Sequence, residues 1–333
     1  MRRRDLLVAA GVLLAAPLAR SQGRAAGAPF RIGLFPAVPE EPYLRWLHDA
    51  LNAAGWQPGR NYVIVPSRAN YGDPPTVAGA RQLLEQKVDL VMVASTAHAL
   101  AAHQETPRVP IVMWASGYPV EAGVAASLAR PGKNVTGVTV YAGTGIWGKL
   151  LELLREAKPE IKRVGVAWGY VPPAFPREEV EPCYRELRRA AGAIGLGLHI
   201  EEIARPDAVP AALAAIDTAR PGALLIMAGP GFYAERSRVM QYAVAKRLPT
   251  AVDFRWATDV ELRPLLSYGA FLPALMGQAA AYAVRILQGG AKPGDLPIQQ
   301  PAKFELVVEL KAARAIGLAV PQSLLLRADE VVE

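Results

Sequence analysis

Two hydroxyl side chains and two histidines lie where an apolar, strand-like run gives way to a helical pattern. Ser95 and Thr96 follow the apolar run directly, and His98 and His103 lie in the alanine-rich pattern behind them. A serine beside a histidine can act as a nucleophile with its general base. The same hydroxyls, followed by Ala97, can instead begin a helix whose unpaired N–H groups attract an anion.

The nucleophile interpretation lacks the motif that it needs. A serine hydrolase of the α/β type carries Gly-x-Ser-x-Gly at a strand-to-helix turn, whereas Ser95 stands in Val-Ala-Ser-Thr-Ala. Nothing in the sequence supplies a carboxylate to orient His98, and no His-Glu-x-x-His zinc motif occurs. We therefore expect no catalysis, metal or cofactor here. His98 and His103 are interpreted as ordinary helix residues, and Ser95 and Thr96 as helix caps, ligand contacts or both.

The elements that must position these residues follow one rhythm along the chain. Near-continuous apolar runs alternate with helical patterns, which indicates parallel sheets covered by helices on both faces. The rhythm restarts midway, and 333 residues suit two domains. We predict an α/β fold with two Rossmann-like lobes at 29–142 and 143–270 and a return segment at 271–333. A short helix is also predicted over Pro119–Leu128.

Ligands bind outside the carboxyl ends of the strands in open parallel sheets, so the loops after the predicted strands supply the candidate ligand-binding residues. In the first lobe the candidates are Phe35, Pro36, Ser95, Thr96, Ala97, Ser116, Gly117 and Tyr118; in the second they are Trp168, Tyr170, Gly229, Phe232 and Asp253. The hydroxyls and the 116–118 loop are expected to hold a polar end of a small molecule, and the aromatic side chains its body. Asp253 either meets a positive group of the ligand or caps the next turn.

The first 21 residues have the layout of a secretory signal. Three arginines precede an apolar run, Leu6–Leu18, that is too short to span a bilayer, and small residues follow. Arg3-Arg4-Asp5-Leu6-Leu7 also fits a twin-arginine export signal. Removal of residues 1–21 takes away four arginines and one aspartate, so the formal charge falls from +7 to +4. No basic run follows, which gives nucleic-acid binding no support.

Cysteine usage is consistent with an exported, soluble protein without a lipid anchor. Cys183 is the single cysteine in the sequence, so no internal disulfide can form, and no cysteine lies near the end of the signal for lipid attachment. We expect the mature chain in the periplasm.

Two long stretches resemble one family of ABC-transporter substrate-binding proteins. They are PIVMWASGYPVEAGVAASLARPGKNVTGVTV (Pro110–Val140) and GDLPIQQPAKFELVVELKAARAIGLAVPQSLLLRADEVVE (Gly294–Glu333). The resemblance runs from about Phe30 to the end of the sequence and implies a type I periplasmic-binding-protein fold, with two lobes joined by three crossovers. It also implies capture of a small molecule for a membrane permease with a separate ATPase. Lobe closure would occur about hinges near Val140–Ile146 and Tyr268–Pro273.

The chain departs from the family pattern beside the expected cleft. The family commonly has Gly-Asp-Pro-Val where this chain has Gly117-Tyr118-Pro119-Val120, so an acidic group is replaced by an aromatic one. The ligand therefore stays open between an amino acid and another small carboxylate. We expect a monomeric solute-binding protein for an ABC permease at the inner membrane. The alternatives are a periplasmic sensor module for a signalling receptor and a serine-dependent hydrolase that uses the same cleft.

Overall fold

The computed structural model describes residues 27–36, 40–69, 76–169, 177–227, 235–255 and 261–333. Parallel strands and covering helices form two sheets in two α/β lobes, which confirms the predicted fold class. The candidate residues Tyr170, Gly229 and Phe232 lie outside the described residues.

The first lobe is built on a five-stranded sheet in the order β2-β1-β3-β4-β5, and all its pairings are parallel. Its strands are β1 (Phe30–Phe35), β2 (Tyr62–Pro66), β3 (Leu90–Val93), β4 (Ile111–Ser116) and β5 (Val135–Thr139). Its connecting helices are α1 (Arg45–Ala53), α2 (Val77–Leu84) and α3 (Thr96–Glu105). All four side chains of β3 are buried, because helices cover both faces of a parallel sheet.

The second lobe is built on a seven-stranded sheet in the order β12-β11-β10-β9-β8-β6-β7, in which β10 and β11 are antiparallel and the other pairs parallel. Its strands are β6 (Arg163–Gly169), β7 (Gly197–Ile203), β8 (Ala223–Met227), β9 (Thr250–Val252), β10 (Leu266–Ala270), β11 (Phe304–Glu309) and β12 (Glu330–Val332). The helices of this part of the chain are α4 (Gly145–Ala157), α5 (Arg177–Ala193), α6 (Val209–Thr218), α7 (Arg236–Ala245), α8 (Leu272–Leu287), α9 (Leu310–Ile316) and α10 (Gln322–Arg327).

The chain passes between the two sheets three times, as the family resemblance implies. It leaves the first sheet after β5, and after β10 it returns, because α8 packs against α1, β4 and β5. The backbone of Gln299 then forms two hydrogen bonds with the first lobe, each at 2.9 Å. Its N–H donates to the carbonyl of Gly137, and its carbonyl accepts from the N–H of Thr139. The chain finally enters the second sheet as β11. Among the described helices, none combines the length and apolar character that crossing a membrane requires.

The helix predicted over Pro119–Leu128 is wrong. This segment forms turns, in which the N–H of Ala122 donates to the carbonyl of Tyr118 and the N–H of Val124 to that of Pro119. Gly123 has a φ of +71°, a left-handed conformation that ends a right-handed helix after a single turn. The apolar side chains of the segment instead pack into a core cluster of the first lobe.

Candidate ligand-binding site

Ser95 and Thr96 lie at the junction between β3 and α3, as predicted. Ser95 has an extended backbone and is the N-cap of α3, and its Oγ accepts from the backbone N–H of His98 at 3.3 Å. Thr96 Oγ1 accepts from the backbone N–H of Gly117, at 2.9 Å. The N–H groups of Thr96 and Ala97 belong to the first helical turn, which has no intrahelical acceptor for them. The end of α3 therefore presents donors and the positive end of the helix dipole.

His98 lies within α3, as expected, and it is a buried residue in contact with Ser95. The residue is 2% exposed, its Nδ1 lies 2.7 Å from Ser95 Oγ, and its ring packs edge-on against Phe35 with ring centres 4.9 Å apart. Burial lowers the pKa of His98 to about 3. Within the described ranges, Nε2 of His98 has no hydrogen-bond partner.

Serine and histidine thus meet, but not as a catalytic pair. In the part of the chain that the structure describes, no carboxylate bonds the His98 ring to orient it. A ring with a pKa of about 3 does not accept a proton at neutral pH, which a general base must do. The contact instead fixes the Ser95 hydroxyl at the start of α3. The described residues also contain no group of three or more His, Cys, Asp or Glu side chains that could hold a metal ion.

The 116–118 loop links the first lobe to the second. Ser116 is fully buried and its hydroxyl donates to the carbonyl of Val138 at 3.1 Å. Tyr118 reaches further, because its ring stacks on Tyr141 with centres 5.2 Å apart and belongs to the main hydrophobic cluster of the second lobe. Its hydroxyl donates to the carbonyl of Gly143 at 3.4 Å. The aromatic residue that departs from the family pattern is therefore a contact between lobes.

Aromatic side chains form a continuous row from the loop of Tyr118 into the second lobe. After Tyr141 the row passes to Trp147 and then to Trp168, with ring centres 5.3 Å and 6.2 Å apart, and it ends on Tyr184, 4.3 Å from Trp168. Tyr118 and Trp168 were predicted from the sequence, whereas Tyr141 and Trp147 were missed. The strand-end rule, applied to the loop after β5, would have found Tyr141.

Asp253 directly follows β9 and is a buried carboxylate, 3% exposed. Its Oδ2 accepts from the hydroxyl of Tyr141 at 2.5 Å. Burial, followed by the charge of Asp253, raises the pKa of Tyr141 well above its ordinary value, so this hydroxyl stays a donor. The backbone of the neighbouring strand β10 lies close to the backbone of Asp253. A Cβ added at Gly269 would lie only 1.8 Å from the backbone carbonyl oxygen of Asp253.

The segment after Asp253 is held by an ion pair with the last strand of the sheet, β12. Arg255 forms two hydrogen bonds to the carboxylate of Glu330 in β12, at 2.6 Å and 2.7 Å. This paired geometry restricts the guanidinium in orientation as well as position. The backbone around Asp253 is thus held by β9, by the close approach of Gly269 and, two residues later, by the ion pair of Arg255 with the last strand.

The structure brings several of the predicted residues into one connected group and leaves Phe35 and Pro36 apart from it. Thr96, Gly117 and Tyr118 are linked by direct contacts, and Tyr118 leads through Tyr141 to Asp253. Phe35 lies instead in a core cluster of the first lobe, and Pro36 is buried behind it.

Three comparisons identify what this chain is similar to. The family model described as ABC transporter substrate binding protein matches residues 44–332. A tyrosine-binding protein of Clostridioides difficile (strain R20291) is 37% identical over 120 residues, which are 36% of this chain and 34% of that protein. The match therefore spans about a third of the length of this relative.

Two solved structures share the fold over nearly the whole chain. A conserved domain protein from Vibrio cholerae O1 biovar El Tor str. N16961 has a TM-score of 0.78 and 25% identity, covering 92% of this chain and 99% of that one. An ABC domain from Streptococcus pneumonia in complex with L-Trp has a TM-score of 0.76 and 22% identity, covering 92% and 100%. The matching family is one of binding proteins and not of enzymes. With most of its length matched, this chain belongs to the family of ABC transporter substrate-binding proteins.

Proposed function

We propose that this protein captures a free amino acid, and foremost an aromatic one, between its lobes and delivers it to an ABC permease. The observation that carries the proposal is the row of contacts from Thr96 through Gly117, Tyr118 and Tyr141 to Asp253. It joins a helix N-terminus in one lobe to a buried carboxylate in the other, with aromatic rings between them.

A free amino acid has the chemistry that this arrangement suits. Its carboxylate is attracted to the unpaired N–H groups and the hydroxyls at the start of α3. Its ammonium group pairs with Asp253, since a buried carboxylate gains from a nearby positive charge. An aromatic side chain packs against rings such as Tyr118 and Trp168, which supply apolar surface with defined edges.

The names of two relatives support this ligand class. The Clostridioides difficile relative is named a tyrosine-binding protein, and the Streptococcus structure is a complex with L-Trp. Where the family commonly has an aspartate, this chain has Tyr118, so Asp253 is the carboxylate that we assign to the ammonium group of the ligand.

Binding is coupled to closure in this proposal. A ligand that contacts α3 in one lobe and Asp253 in the other favours the closed form by its extra contacts there. The hinges lie at 140–146 and 268–273, where the chain passes between sheets, and Tyr141 in the first of them already contacts Asp253. In this proposal the signal at residues 1–21 directs export, and the protein works as a monomer in the periplasm. The permease binds the closed form selectively.

A thermal-shift screen of the purified protein against the common amino acids and small carboxylates tests the ligand class. Ligand at a hundredfold excess over its Kd stabilises the folded state by about 2.7 kcal/mol. We expect L-tyrosine, L-tryptophan or L-phenylalanine to raise Tm, and their decarboxylated amines, which lack the carboxylate, to raise it less. A screen in which no amino acid shifts Tm, while another small carboxylate does, would overturn the proposed ligand.

Two variants test the site by calorimetric titration of the ligand found. Asp253→Asn removes the charge that meets the ammonium group, and the loss of one partner of a buried pair costs about 2–5 kcal/mol, so we expect at least a thirtyfold weaker Kd. Asp207→Asn is the matched control, because that carboxylate is 70% exposed. Equal affinities of the two variants would remove Asp253 from the site. Loss of uptake of the labelled amino acid in a deletion strain then distinguishes transport from sensing.

A further inference from the structure

The buried contact between Ser95 and His98 determines what the Ser95 hydroxyl can offer to a ligand. A hydroxyl has one proton and two lone pairs. Ser95 Oγ accepts from the backbone N–H of His98 at 3.3 Å and lies 2.7 Å from the Nδ1 of the same residue. Whether that second contact uses a lone pair or the proton of Ser95 depends on which nitrogen of the imidazole is protonated.

At neutral pH burial keeps the His98 ring uncharged, so the ring exists as one of two neutral tautomers. With the proton on Nδ1, the ring donates to Ser95 Oγ, both lone pairs of the hydroxyl are used, and its proton is left to donate outwards. With the proton on Nε2, the ring accepts the proton of Ser95, and the hydroxyl can only accept from a ligand.

The surroundings of Nε2 distinguish the two forms. This atom is buried and, in the part of the chain that is described, has no hydrogen-bond partner. A proton on Nε2 would be a buried donor without an acceptor, and orphaned buried N–H groups are rarer in proteins than under-satisfied acceptors. The ring packs edge-on against Phe35, and the residue is 2% exposed, so bulk solvent has little access to Nε2.

We propose that His98 holds the tautomer protonated on Nδ1 and thereby makes Ser95 a hydrogen-bond donor towards the cleft. The part of this inference that concerns the ligand rests on the proposed function, whereas the tautomer does not. His98 is a positioning residue, since it acts through Ser95 and contacts no ligand itself.

The consequence is a site at the start of α3 made of donors alone. The outward hydroxyl proton of Ser95 joins the N–H groups of Thr96 and Ala97, which have no intrahelical acceptors. Such a set accepts a carboxylate and rejects a group that can only donate, such as an ammonium. It would therefore bind the carboxylate end of an amino acid and fix the orientation of the molecule between the lobes.

The tautomer is measurable in the ligand-free protein. Long-range ¹H–¹⁵N correlation spectra of protein labelled at its four histidines report the protonation of each ring nitrogen, and the signals of His98 are those lost in a His98→Asn variant. We expect a protonated Nδ1 and an unprotonated Nε2 at neutral pH. A proton on Nε2, or on both nitrogens, overturns the inference.

Binding of L-tyrosine, tyramine and 3-(4-hydroxyphenyl)propanoate tests the role in recognition. We expect Ser95→Ala and His98→Leu each to weaken the two carboxylates about tenfold, the value of one hydrogen bond, and to leave tyramine unchanged. The double variant should bind the carboxylates no more weakly than Ser95→Ala does, and His98→Asn, whose amide N–H can replace the Nδ1 donor, should recover most of the affinity.

Two outcomes contradict the inference. One is that the losses of affinity in Ser95→Ala and His98→Leu add up in the double variant; the other is a His98→Asn protein that folds normally and binds as weakly as His98→Leu. If the wild-type protein binds none of the three probes, the proposed ligand class is wrong and the tautomer measurement alone decides this inference.

Discussion

Replacing Tyr141 by phenylalanine removes one hydroxyl from the contact between a crossover and the second lobe. The Tyr141 hydroxyl donates to Asp253 Oδ2 at 2.5 Å, and Asp253 is 3% exposed. The ring itself stacks on Tyr118 and packs against Trp147, and phenylalanine preserves both ring contacts. The substitution therefore isolates the hydrogen bond.

The geometry sets the size of the effect. A hydrogen bond to a charged group contributes about 1.5–3 kcal/mol, and a buried acceptor has no water to replace the lost donor. We expect Tyr141→Phe to lower the free energy of unfolding by about 2 kcal/mol. Tyr242→Phe is a matched control, because its hydroxyl also bonds an aspartate, Asp217, but at 3.4 Å. Asp217 is 40% exposed and bonds Lys246 as well, so the control should cost less than about 0.5 kcal/mol.

Urea unfolding followed by tryptophan fluorescence and far-UV circular dichroism measures both variants, with the denaturant dependence m unchanged. In an Asp253→Asn background the acceptor is neutral, and the cost of Tyr141→Phe should fall to about 1 kcal/mol. Equal costs for Tyr141→Phe and Tyr242→Phe would refute the reasoning. So would a cost of Tyr141→Phe that does not depend on the charge at position 253.

Three further predictions concern packing and ionisation. Gly269→Ala, whose Cβ would lie 1.8 Å from a backbone carbonyl, should lower Tm strongly, whereas Gly277→Ala, with open space in α8, should stabilise by about 0.5–1 kcal/mol. Because the pKa of His98 is lowered to about 3, stability should be complete above about pH 6.5 and fall as the pH drops towards 3, and His98→Leu should flatten that slope. Because burial raises the pKa of Tyr118 and Tyr141, both should stay protonated in the folded protein, so that stability falls above about pH 10 as the unfolded chain ionises; an absorbance titration in which all tyrosines ionise before unfolding would contradict this.

The strands and the two-lobe fold were readable from the sequence because hydrophobic burial sets a strong local pattern. FRIGLF forms β1 over its predicted length, and the four residues of β3 are apolar and fully buried. The junction at Ser95 was equally clear, because a hydroxyl that follows a buried strand has a local role as an N-cap. Both are properties of short segments and need no knowledge of distant contacts.

The features that were missed depend on contacts between distant segments. The burial of His98 comes from packing against Phe35, and the alanines around it give α3 no clear polar face from which to read its orientation. Tyr141 acquires its role only when the fold brings Asp253, 112 positions later in the sequence, within hydrogen-bond distance. The false helix at 119–128 is the converse case, in which apolar spacing reflected burial and not a helical backbone.

The position of α8 has a consequence for the order in which this protein can fold during synthesis. Leu275, Met276 and Ala279 of α8 lie in the same core cluster as Leu47 and Leu51 of α1. The first lobe therefore cannot bury that surface until the ribosome has made residues more than two hundred positions downstream of α1. Contacts of such sequence separation form slowly, and a chain that waits for them exposes apolar surface. A newly made molecule thus keeps the α1 face of its first lobe exposed until α8 has been translated.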